Sequence, residues 1–599
     1  MATAFQGVID VDRYLDSLPL KAITLMNTRK TVIASLDYDP QPLKFGTSGR
    51  RGEVIHLTQL EISINALAEL EYLQSLPRSE GGIRCGDEFF FACDLRPSSS
   101  RFVPEEQGRG EIAQAIERAI RDAGMHPVNL GMIPTPALTS YAIEHSCGSM
   151  MITGSHIPFD RNGYKTNTSR GELLKTHEAP INARVEQVRQ RLYQQPFTDS
   201  PFNEQGRLKC GHQDLSPVDD RGREAYIRRY VDFFGGRTLA GQRILAYQHS
   251  AVGRDILCDI LRDLGAEVIP VGRSEAFVPI DTENIDAAQL AVIQELVDAA
   301  AHGSIDAVVS TDGDSDRPLI LGVEPSGQVR FFGGDLVGMV VAEYLGADAV
   351  VAPISSNDGI DRGPLKDIVE PKTRIGSPFV IAGMEKARGK GRRAVCGWEA
   401  NGGFLTGSDI AKDSRILRAL PTRDAILPIL GVLFSMVEKG LSLSGLFDLL
   451  PKRFSRAALL KRFPRPVSLW ILDRFSPTNP AVKDVIFSGK TVTTFDEDRN
   501  ILTGTDQQTK ALIAIRNALA DFFAPSMGFG AIHRINTIDG VRIYFDNGDV
   551  AQFRPSGNAD ELRIYAVADT QSRADAITEM GIAEPEGILR RLEKAVLMG

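Results

Sequence analysis

The acidic segment DGDSDR, which begins at Asp312, is the clearest candidate for metal chemistry in the 599-residue sequence. Asp312, Asp314 and Asp316 occupy alternate positions, so their carboxylates could converge on one hard cation. The spacing excludes an EF-hand calcium loop, because its sixth and twelfth positions would be Arg317 and Val323 rather than Gly and Glu. Three carboxylates leave coordination positions open, which suits a Mg²⁺ ion that also contacts a phosphoryl oxygen.

The hydroxyl of Ser155, in the segment TGSHIP at 153–158, is a candidate nucleophile. An apolar run at 149–152 precedes it, so Ser155 should lie on a loop at the carboxyl end of a strand, where α/β sheets place their ligands. Taken alone, a plain Gly-Ser turn is the more common explanation of such a string. The segment NGYK at 162–165 lies just downstream and adds Lys165, which favours a functional loop.

Two further loops carry groups that could recognise hydroxyls or phosphate. The segment GWEANGG at 397–403 places Glu399 and Asn401 two residues apart, which offers an acceptor and a donor to adjacent sugar hydroxyls. Alone, this segment is better explained by a bland turn. The segment RPSGN at 554–558 supplies a guanidinium, a hydroxyl, an amide and a glycine-opened backbone, which together could bind a phosphate dianion.

The elements that must position these loops alternate between strand and helix. Apolar runs such as those at 243–247 and 267–271 flank a helical stretch, which predicts βαβ units and largely parallel sheets. Polar, proline-containing breaks at 194–221 and 451–465 separate successive α/β regions. The region 538–568 differs, because two alternating strands flank an Asp-Asn-Gly turn, and it predicts an α+β domain with a mostly antiparallel sheet.

Composition excludes several classes of protein. At 100 to 200 residues per domain, the length predicts about three to five domains. Lysine plus arginine is 68 and aspartate plus glutamate is 77, giving a formal charge of −9 and a pI near 5.7, which disfavours nucleic acid and anionic membrane as partners. Scattered single cysteines fit a reducing cytoplasm, and no export signal, membrane anchor or histidine-based zinc motif is expected.

The polar segments, in this order and together with FGTSGRRG at 45–52, resemble the α-D-phosphohexomutase superfamily of phosphoglucomutases and phosphomannomutases. The resemblance covers roughly residue 44 to the C-terminus. It implies four domains around a central cleft, three similar α/β domains with mixed sheets and a C-terminal α+β phosphate-binding domain. The expected boundaries are 1–42 for an N-terminal extension, 43–215 for the phosphoserine domain, 216–322 for the metal-binding domain, 323–452 for the sugar-recognition domain, 453–530 for a linker or extra segment, and 531–599 for the C-terminal domain.

The resemblance also implies roles for individual residues. Ser155 would carry the transferable phosphoryl group and, with Asp312, Asp314 and Asp316, bind Mg²⁺. The sugar would be recognised by Glu399 and Asn401, and the non-reacting phosphate by Arg554, Ser556, Gly557 and Asn558. The reacting phosphate would be lined by Arg51, His156, Lys165 and Arg317, with Lys165 in proton transfer. The chain departs from the usual family pattern at Ile157, where asparagine is common, and at Asn558, where threonine is frequent.

The function implied is a phosphohexomutase that interconverts hexose 1-phosphate and hexose 6-phosphate, with mannose as the leading substrate and glucose phosphates as additional ones. A hexose 1,6-bisphosphate would be the intermediate and activator. A phosphoglucomutase, a phosphoglucosamine mutase, a serine- and Mg²⁺-dependent hydrolase and an inactive sugar-phosphate binding protein are the alternatives. The expected partner is the sugar phosphate, without nucleic acid or membrane, in a cytoplasmic monomer or small homo-oligomer.

Overall fold

The structure is a computed structural model that describes residues 30–46, 48–283, 285–300, 303–489, 491–556 and 560–598. These residues form four main sheets with flanking helices, numbered one to four along the chain. The predicted α/β class with mixed sheets is therefore confirmed. No helix among the described residues is long and apolar enough to cross a membrane.

The first sheet holds the Ser155 loop. Its strands in spatial order are Lys44–Phe45, Arg50–Glu53, Arg161–Thr168, Ser149–Ile152, Glu88–Cys93 and His126–Asn129, and Gly171–Glu172 pairs with Arg161–Thr168. The last three strands in this order are parallel to one another, and the others pair antiparallel. Its helices are Gln59–Ser75, Ile112–Asp122, Thr135–Glu144 and Lys175–Tyr193, with short ones at Val32–Ser35 and Pro97–Ser100, and a small hairpin pairs Phe102–Val103 with Arg109–Gly110.

The strand Glu88–Cys93, which has a parallel neighbour on each side, shows why a strand of this sheet has a continuous run of apolar residues. Phe89 and Phe91 are buried in one core cluster, whereas Phe90 and Ala92 are buried in another on the opposite face. Side chains alternate between the faces of a strand, so a strand covered by helices on both sides must be apolar at every position.

The second sheet holds the acidic loop. Its strands in spatial order are Glu267–Arg273, Arg243–His249, Ala307–Thr311, Pro318–Val323 and Val329–Phe331, and its helices are Arg221–Phe234, Arg254–Asp263 and Ala287–Ala299. The first three strands are parallel and the last two antiparallel. The strands predicted at 243–247 and 267–271 are confirmed.

The third sheet holds the segment at 397–403. Its strands in spatial order are Ala349–Val351, Val395–Trp398, Phe404–Thr406 and Leu420–Asp424, and a separate hairpin pairs Ile410–Lys412 with Arg415–Leu417. Its helices are Gly334–Leu345, Ser377–Gly389, Ile426–Lys439 and Leu443–Phe447.

The fourth sheet is antiparallel throughout, as predicted for the C-terminal region. Its strands in spatial order are Phe454–Lys461, Glu561–Ala568, Val550–Pro555, Val541–Phe545, Ile532–Asn536, Asp484–Ser488, Thr491–Phe495 and Ile501–Leu502. Its helices are Arg465–Arg474, Asp506–Phe522, Gln571–Ile582 and Ile588–Leu597. The predicted Asp-Asn-Gly turn joins two of the strands, and Gly548 has the positive φ of +88° that this turn requires.

The segment 453–530, expected to be a linker or extra segment, differs from that expectation. It supplies four of the eight strands and two helices to the fourth sheet. Val485, Phe487 and Leu519 are buried in the same core cluster as Ile543 and Phe553. Three of these four strands have five residues or fewer, and none has a regular alternation of apolar and polar residues, so their sequence gives a weak signal. The segment therefore belongs to the same structural unit as residues 531–598.

Candidate active site

The Ser155 loop follows the strand Ser149–Ile152, at the carboxyl end of the first sheet. Ser155 is buried and has a left-handed φ of +55°, an uncommon conformation for a residue other than glycine. Its backbone N–H donates to Oγ1 of Thr153 at 2.7 Å, and the N–H of Gly154 donates to Oδ2 of Asp94 at 3.3 Å. These contacts hold the serine in a strained, defined position.

Arg96 fixes the outer part of the same loop. Its buried guanidinium donates to the carbonyl oxygens of Ser155, Ile157 and Pro158 at 3.2, 2.8 and 2.5 Å. It also lies 3.9 Å from the ring centre of Phe277, a residue from the second sheet region. The side chain of Arg96 therefore holds the outer part of the loop by its backbone carbonyls. The side chain of Ile157 need not be polar for this purpose.

The three aspartates of the acidic loop converge as predicted. Asp312, Asp314 and Asp316 are buried, and one carboxylate oxygen from each lies within 4.8 Å of the others. Oδ1 of Asp314 and Oδ1 of Asp316 are buried without a hydrogen-bond partner. A buried carboxylate oxygen without a partner is costly, and a divalent cation would satisfy both. The residues present therefore fit Mg²⁺.

Burial and mutual repulsion also act on the protonation of this loop. Burial and the charges of Asp314 and Asp316 raise the pKa of Asp312 well above its usual value. Burial would also raise the pKa of Asp316, but Arg423, Lys165 and other cations outweigh it and lower that pKa. The charge of the loop thus depends on how far neighbouring cations offset burial and mutual repulsion.

Residues of the first sheet region meet the acidic loop directly. The Oγ of Ser155 donates to Oδ2 of Asp312 at 2.7 Å. The buried ammonium of Lys165 donates at 2.6 Å to Oδ2 of Asp314 and at 2.6 Å to Oδ2 of Asp316. The hydroxyl of Thr135, at the start of a helix, also donates to Oδ2 of Asp314 at 2.5 Å.

Three more predicted residues surround this contact. Arg51 donates to the carbonyl of Thr153 at 3.2 Å, and burial lowers its pKa to about 10, so it stays charged at neutral pH. Arg317 places Nε 3.5 Å from Oδ1 of Asp316. The charge of Arg317, together with burial, lowers the pKa of His156 well below its usual value, so its imidazole is neutral near pH 7.

The segment 397–403, called the sugar loop after its expected role, joins the same assembly through an arginine that the sequence analysis did not identify. Arg423 donates from Nη1 to Oε2 of Glu399 at 2.9 Å, and from Nε and Nη2 to Oδ2 of Asp316 at 3.1 and 2.9 Å. Asn401 accepts at Oδ1 from the N–H of Gly403 at 3.0 Å, which leaves its Nδ2 group as a donor.

A cavity of about 820 Å³ lies beside the sugar loop. Its lining includes Glu283, Ala400, Arg453 and Tyr565. Burial, reinforced by the nearby charge of Asp281, raises the pKa of Glu283 to about 7. Ala400 of the segment 397–403 therefore lines a cavity whose wall also carries a titratable carboxyl group.

The C-terminal loop is not joined to these groups by any hydrogen bond or ion pair between residues the structure describes. Arg554 donates from Nε to Oδ1 of Asp539 at 2.7 Å, and Oδ2 of Asp539 accepts the N–H of Ile375 from the third sheet region at 2.9 Å. The N–H of Ser556 donates to the carbonyl of Glu561 at 3.0 Å. The two remaining predicted phosphate contacts, Gly557 and Asn558, lie outside the described residues.

Comparison with known proteins identifies the family. The models for domains I and III of phosphoglucomutase/phosphomannomutase match residues 42–192 and 333–454. A phosphomannomutase from Sinorhizobium fredii is 36% identical over 540 residues, 90% of this chain and 98% of the relative. One from Salmonella muenchen is 34% identical over 556 residues, 92% of this chain and 97% of the relative. The chain belongs to the α-D-phosphohexomutase superfamily.

The solved structures agree at the level of the fold. A phosphoglucomutase/phosphomannomutase family protein from Burkholderia thailandensis superposes with a TM-score of 0.59 at 16% identity, covering 92% of this chain and 98% of that one. Membership of the superfamily makes this protein a phosphohexomutase, and hence an isomerase. The predicted family and enzyme class are confirmed.

Four positioning residues of this phosphohexomutase were missed in the sequence: Arg96, Thr135, Arg423 and Asp539. Thr135 and Asp539 resemble ordinary helix-start and turn residues, so their types carry no signal. Arg96 and Arg423 offered a weak one, because Arg96 lies shortly after the strand Glu88–Cys93 and Arg423 lies within the strand Leu420–Asp424. Charged residues are rarely buried unless they are paired, but burial itself could not be read from the spacing.

Proposed function

We propose that this phosphohexomutase interconverts mannose 1-phosphate and mannose 6-phosphate, and that glucose phosphates are additional substrates. Two relatives that span nearly the whole chain are named phosphomannomutase. The sugar would be bound by Glu399 and Asn401, which offer a carboxylate acceptor and an amide donor side by side. This pairing suits two adjacent hydroxyls on one sugar.

The contact between Ser155 and Asp312 carries the mechanistic part of the proposal. A phosphoryl group on Oγ of Ser155 would replace a hydroxyl that now lies 2.7 Å from a carboxylate. Phosphate and carboxylate repel each other strongly at this distance in a buried site, so the phosphorylated form requires compensating cations. Lys165, Arg51 and Arg317 lie around this point, and the unpartnered oxygens of the acidic loop offer a place for Mg²⁺.

In the proposed cycle, phosphorylated Ser155 transfers its phosphoryl group to the free hydroxyl of the bound hexose phosphate. The P–Oγ bond breaks as a bond to the sugar oxygen forms, which gives hexose 1,6-bisphosphate. The sugar then turns over in the cleft and returns its other phosphate to Ser155. Lys165, Arg51 and Arg317 would neutralise the equatorial oxygens, and His156, being neutral, would contribute a hydrogen bond. Bound Mg²⁺ would act as a Lewis acid on those oxygens.

Proton transfer through Lys165 stays a prediction. Its ammonium donates to two carboxylates, an arrangement that suits neutralisation of charge. To accept the proton of the sugar hydroxyl, the amine would have to be neutral at that moment. Arg554 and Ser556, with Gly557 and Asn558, are proposed to bind the phosphate that is not reacting.

The architecture proposed for this activity has three α/β domains near residues 43–215, 216–322 and 323–452, and a fourth that extends from 453 to the C-terminus. The starting point of the fourth domain reflects the shared eight-stranded sheet. A cytoplasmic location and a monomer or small homo-oligomer are parts of the same proposal.

The substrate is tested by comparing kcat/KM for mannose 1-phosphate, glucose 1-phosphate and glucosamine 1-phosphate in one coupled assay. We expect mannose 1-phosphate to give the highest value. A preference of more than about tenfold for glucosamine 1-phosphate would reject the assignment. Intact-protein mass spectrometry tests the intermediate separately. The purified wild-type enzyme should carry one phosphate, and Ser155→Ala should carry none. Wild-type enzyme that has lost this phosphate should regain it from hexose 1,6-bisphosphate.

A further inference from the structure

Arg423 connects two loops that serve different ligands. It lies on the strand Leu420–Asp424 of the third sheet, and its side chain is only 3% exposed. One guanidinium donates to Asp316 of the acidic loop and to Glu399 of the sugar loop, with N–O distances between 2.9 and 3.1 Å. The geometry is the fork that arginine forms with carboxylates, here divided between two partners.

The sugar loop is shaped to accommodate this arginine. A Cβ atom at Gly403 would lie 2.5 Å from Cδ of Arg423, closer than carbon atoms approach without displacement. The loop is also anchored by the buried ring of Trp398, which stacks on Phe404. Gly403 therefore allows Arg423 to pass beneath Glu399 and reach Asp316.

Arg423 uses only one oxygen of each carboxylate. Arg423 and Lys165 both donate to Oδ2 of Asp316, and Oδ1 of the same residue has no hydrogen-bond partner. Arg423 engages Oε2 of Glu399 in the same way. Arg423 thus holds each carboxylate by one oxygen, while Oδ1 of Asp316 faces Nε of Arg317 at 3.5 Å.

We propose that Arg423 is a positioning residue that couples cation binding at Asp316 to sugar recognition at Glu399. A guanidinium shared between two carboxylates moves towards one when the other loses charge. Any change at Glu399 would therefore alter how strongly Arg423 offsets the charge of Asp316. The inference rests on the proposed roles of these two loops and adds a connection between them.

Non-additivity distinguishes this coupling from ordinary electrostatics. Charges that stay in place act on a cation independently, so the effect of removing Glu399 would be the same with or without Arg423. A shared guanidinium that shifts between partners makes the two effects interdependent, and a double-mutant cycle measures that interdependence. A purely structural role for Arg423 would not produce it.

The test measures equilibrium binding of Mn²⁺, a spectroscopic substitute for Mg²⁺, to the full chain without sugar. Every protein carries Ser155→Ala so that phosphorylation at this position cannot vary. We expect Glu399→Gln to weaken Mn²⁺ binding about fivefold when Arg423 is present, because the released guanidinium then offsets Asp316 alone. With Arg423→Met, Glu399→Gln should change Mn²⁺ binding less than about twofold.

Two further variants keep the outcome decisive. Arg423→Gln removes the mobile charge but keeps a polar side chain in the buried site, so it should also abolish the interdependence, and it serves alone if Arg423→Met does not fold. Arg418→Met, which removes an exposed arginine paired with Asp409, should retain the full fivefold effect. Equal effects of Glu399→Gln in all backgrounds would overturn the proposal. The measurement involves no turnover, so this result would leave the mutase assignment unaffected, and a failed substrate assay would leave the coupling unaffected.

Discussion

The hydroxyl of Ser155 donates to Oδ2 of Asp312 at 2.7 Å, although 157 sequence positions separate the two residues. Each residue lies on a loop that follows a buried strand, Ser149–Ile152 in one sheet and Ala307–Thr311 in another. The carboxyl ends of two sheets therefore meet at this hydrogen bond. A candidate phosphoryl acceptor and a candidate metal ligand are brought into contact by the packing of two separate α/β units.

Replacement of Ser155 by alanine should abolish mutase turnover while sugar-phosphate binding is retained. The change removes the proposed nucleophile and one hydrogen bond, but it leaves the loop held by Arg96. Turnover is measured in the coupled assay and binding by calorimetry. Ser75→Ala, on an exposed helix end, serves as the control and should retain full activity. A Ser155→Ala protein with more than a few per cent of wild-type turnover would contradict the mechanism.

Replacement of Asp314 by asparagine should raise the Mg²⁺ concentration needed for half-maximal activity at least about tenfold. The change removes one of three anionic ligands and a partner of Lys165. Mn²⁺ binding measured directly should weaken in parallel. Asp298→Asn, at an exposed helix position, provides the matched control. If the metal titration of Asp314→Asn coincides with that of the wild type, the acidic loop is not the metal site.

Replacement of Glu283 by glutamine should stabilise the protein at pH 8 but not at pH 5. The pKa of Glu283 is about 7 in the folded chain and 4.5 as its ordinary value. A carboxyl group with a raised folded pKa contributes stability below the ordinary value and loses that contribution as pH rises through about 7. Above pH 7 the wild type bears a partly buried charge that glutamine lacks, and this charge lowers its free energy of unfolding by on the order of 1 to 3 kcal/mol.

The measurement for Glu283 is the thermal unfolding midpoint of both proteins from pH 5 to pH 8. The difference between them should grow with pH and reach a few degrees at pH 8. Glu295→Gln, on the exposed face of the following helix, should show no such trend. A constant difference across the range would mean that Glu283 does not titrate in this interval.

The sequence predicted the clustering of neighbouring site residues better than the contacts between site residues that lie far apart in the chain. Asp312, Asp314 and Asp316 are neighbours in the chain, and a loop after a strand can bring them together without any tertiary information. The contacts of Arg423 with Asp316 and Glu399 depend on how the second and third sheet regions pack. Such long-range contacts are set by burial, which spacing along the chain does not reveal.

The same distinction holds for the fold: strands with a clear local sequence pattern were predictable, and strands that depend on distant pairing were not. The buried parallel strands were predictable because residues such as Phe89 and Phe91 form continuous apolar runs. The strands Asp484–Ser488 and Thr491–Phe495 were not recognised, because each spans only five residues and neither has a regular alternation of polar and apolar positions. Their membership of the fourth sheet is decided by pairing with Ile532–Asn536, which lies far along the chain.

Replacement of Arg554 by alanine should weaken binding of both hexose 1-phosphate and hexose 6-phosphate. In the proposed cycle this side chain holds the phosphate that is not reacting, in either orientation of the sugar. Loss of a charge-assisted contact costs about 1.5 to 3 kcal/mol, or roughly 10 to 150-fold in affinity. The bisphosphate intermediate should also escape more often before it is turned, which is measured as its release during turnover.

A variant of Asp539 tests the same site with a smaller expected effect. Its carboxylate holds Nε of Arg554 and also accepts the N–H of Ile375, so it orients the arginine without being placed to contact substrate itself. Asp539→Asn retains the side-chain shape but loses the charge, and we expect KM for both substrates to rise about three- to tenfold with kcat less affected. Asp521→Asn, at an exposed helix position of the fourth sheet region, controls for a general loss of acidic charge. If Arg554→Ala leaves both KM values and bisphosphate release unchanged, the C-terminal loop does not bind the second phosphate, and the effect expected for Asp539→Asn must then also be absent.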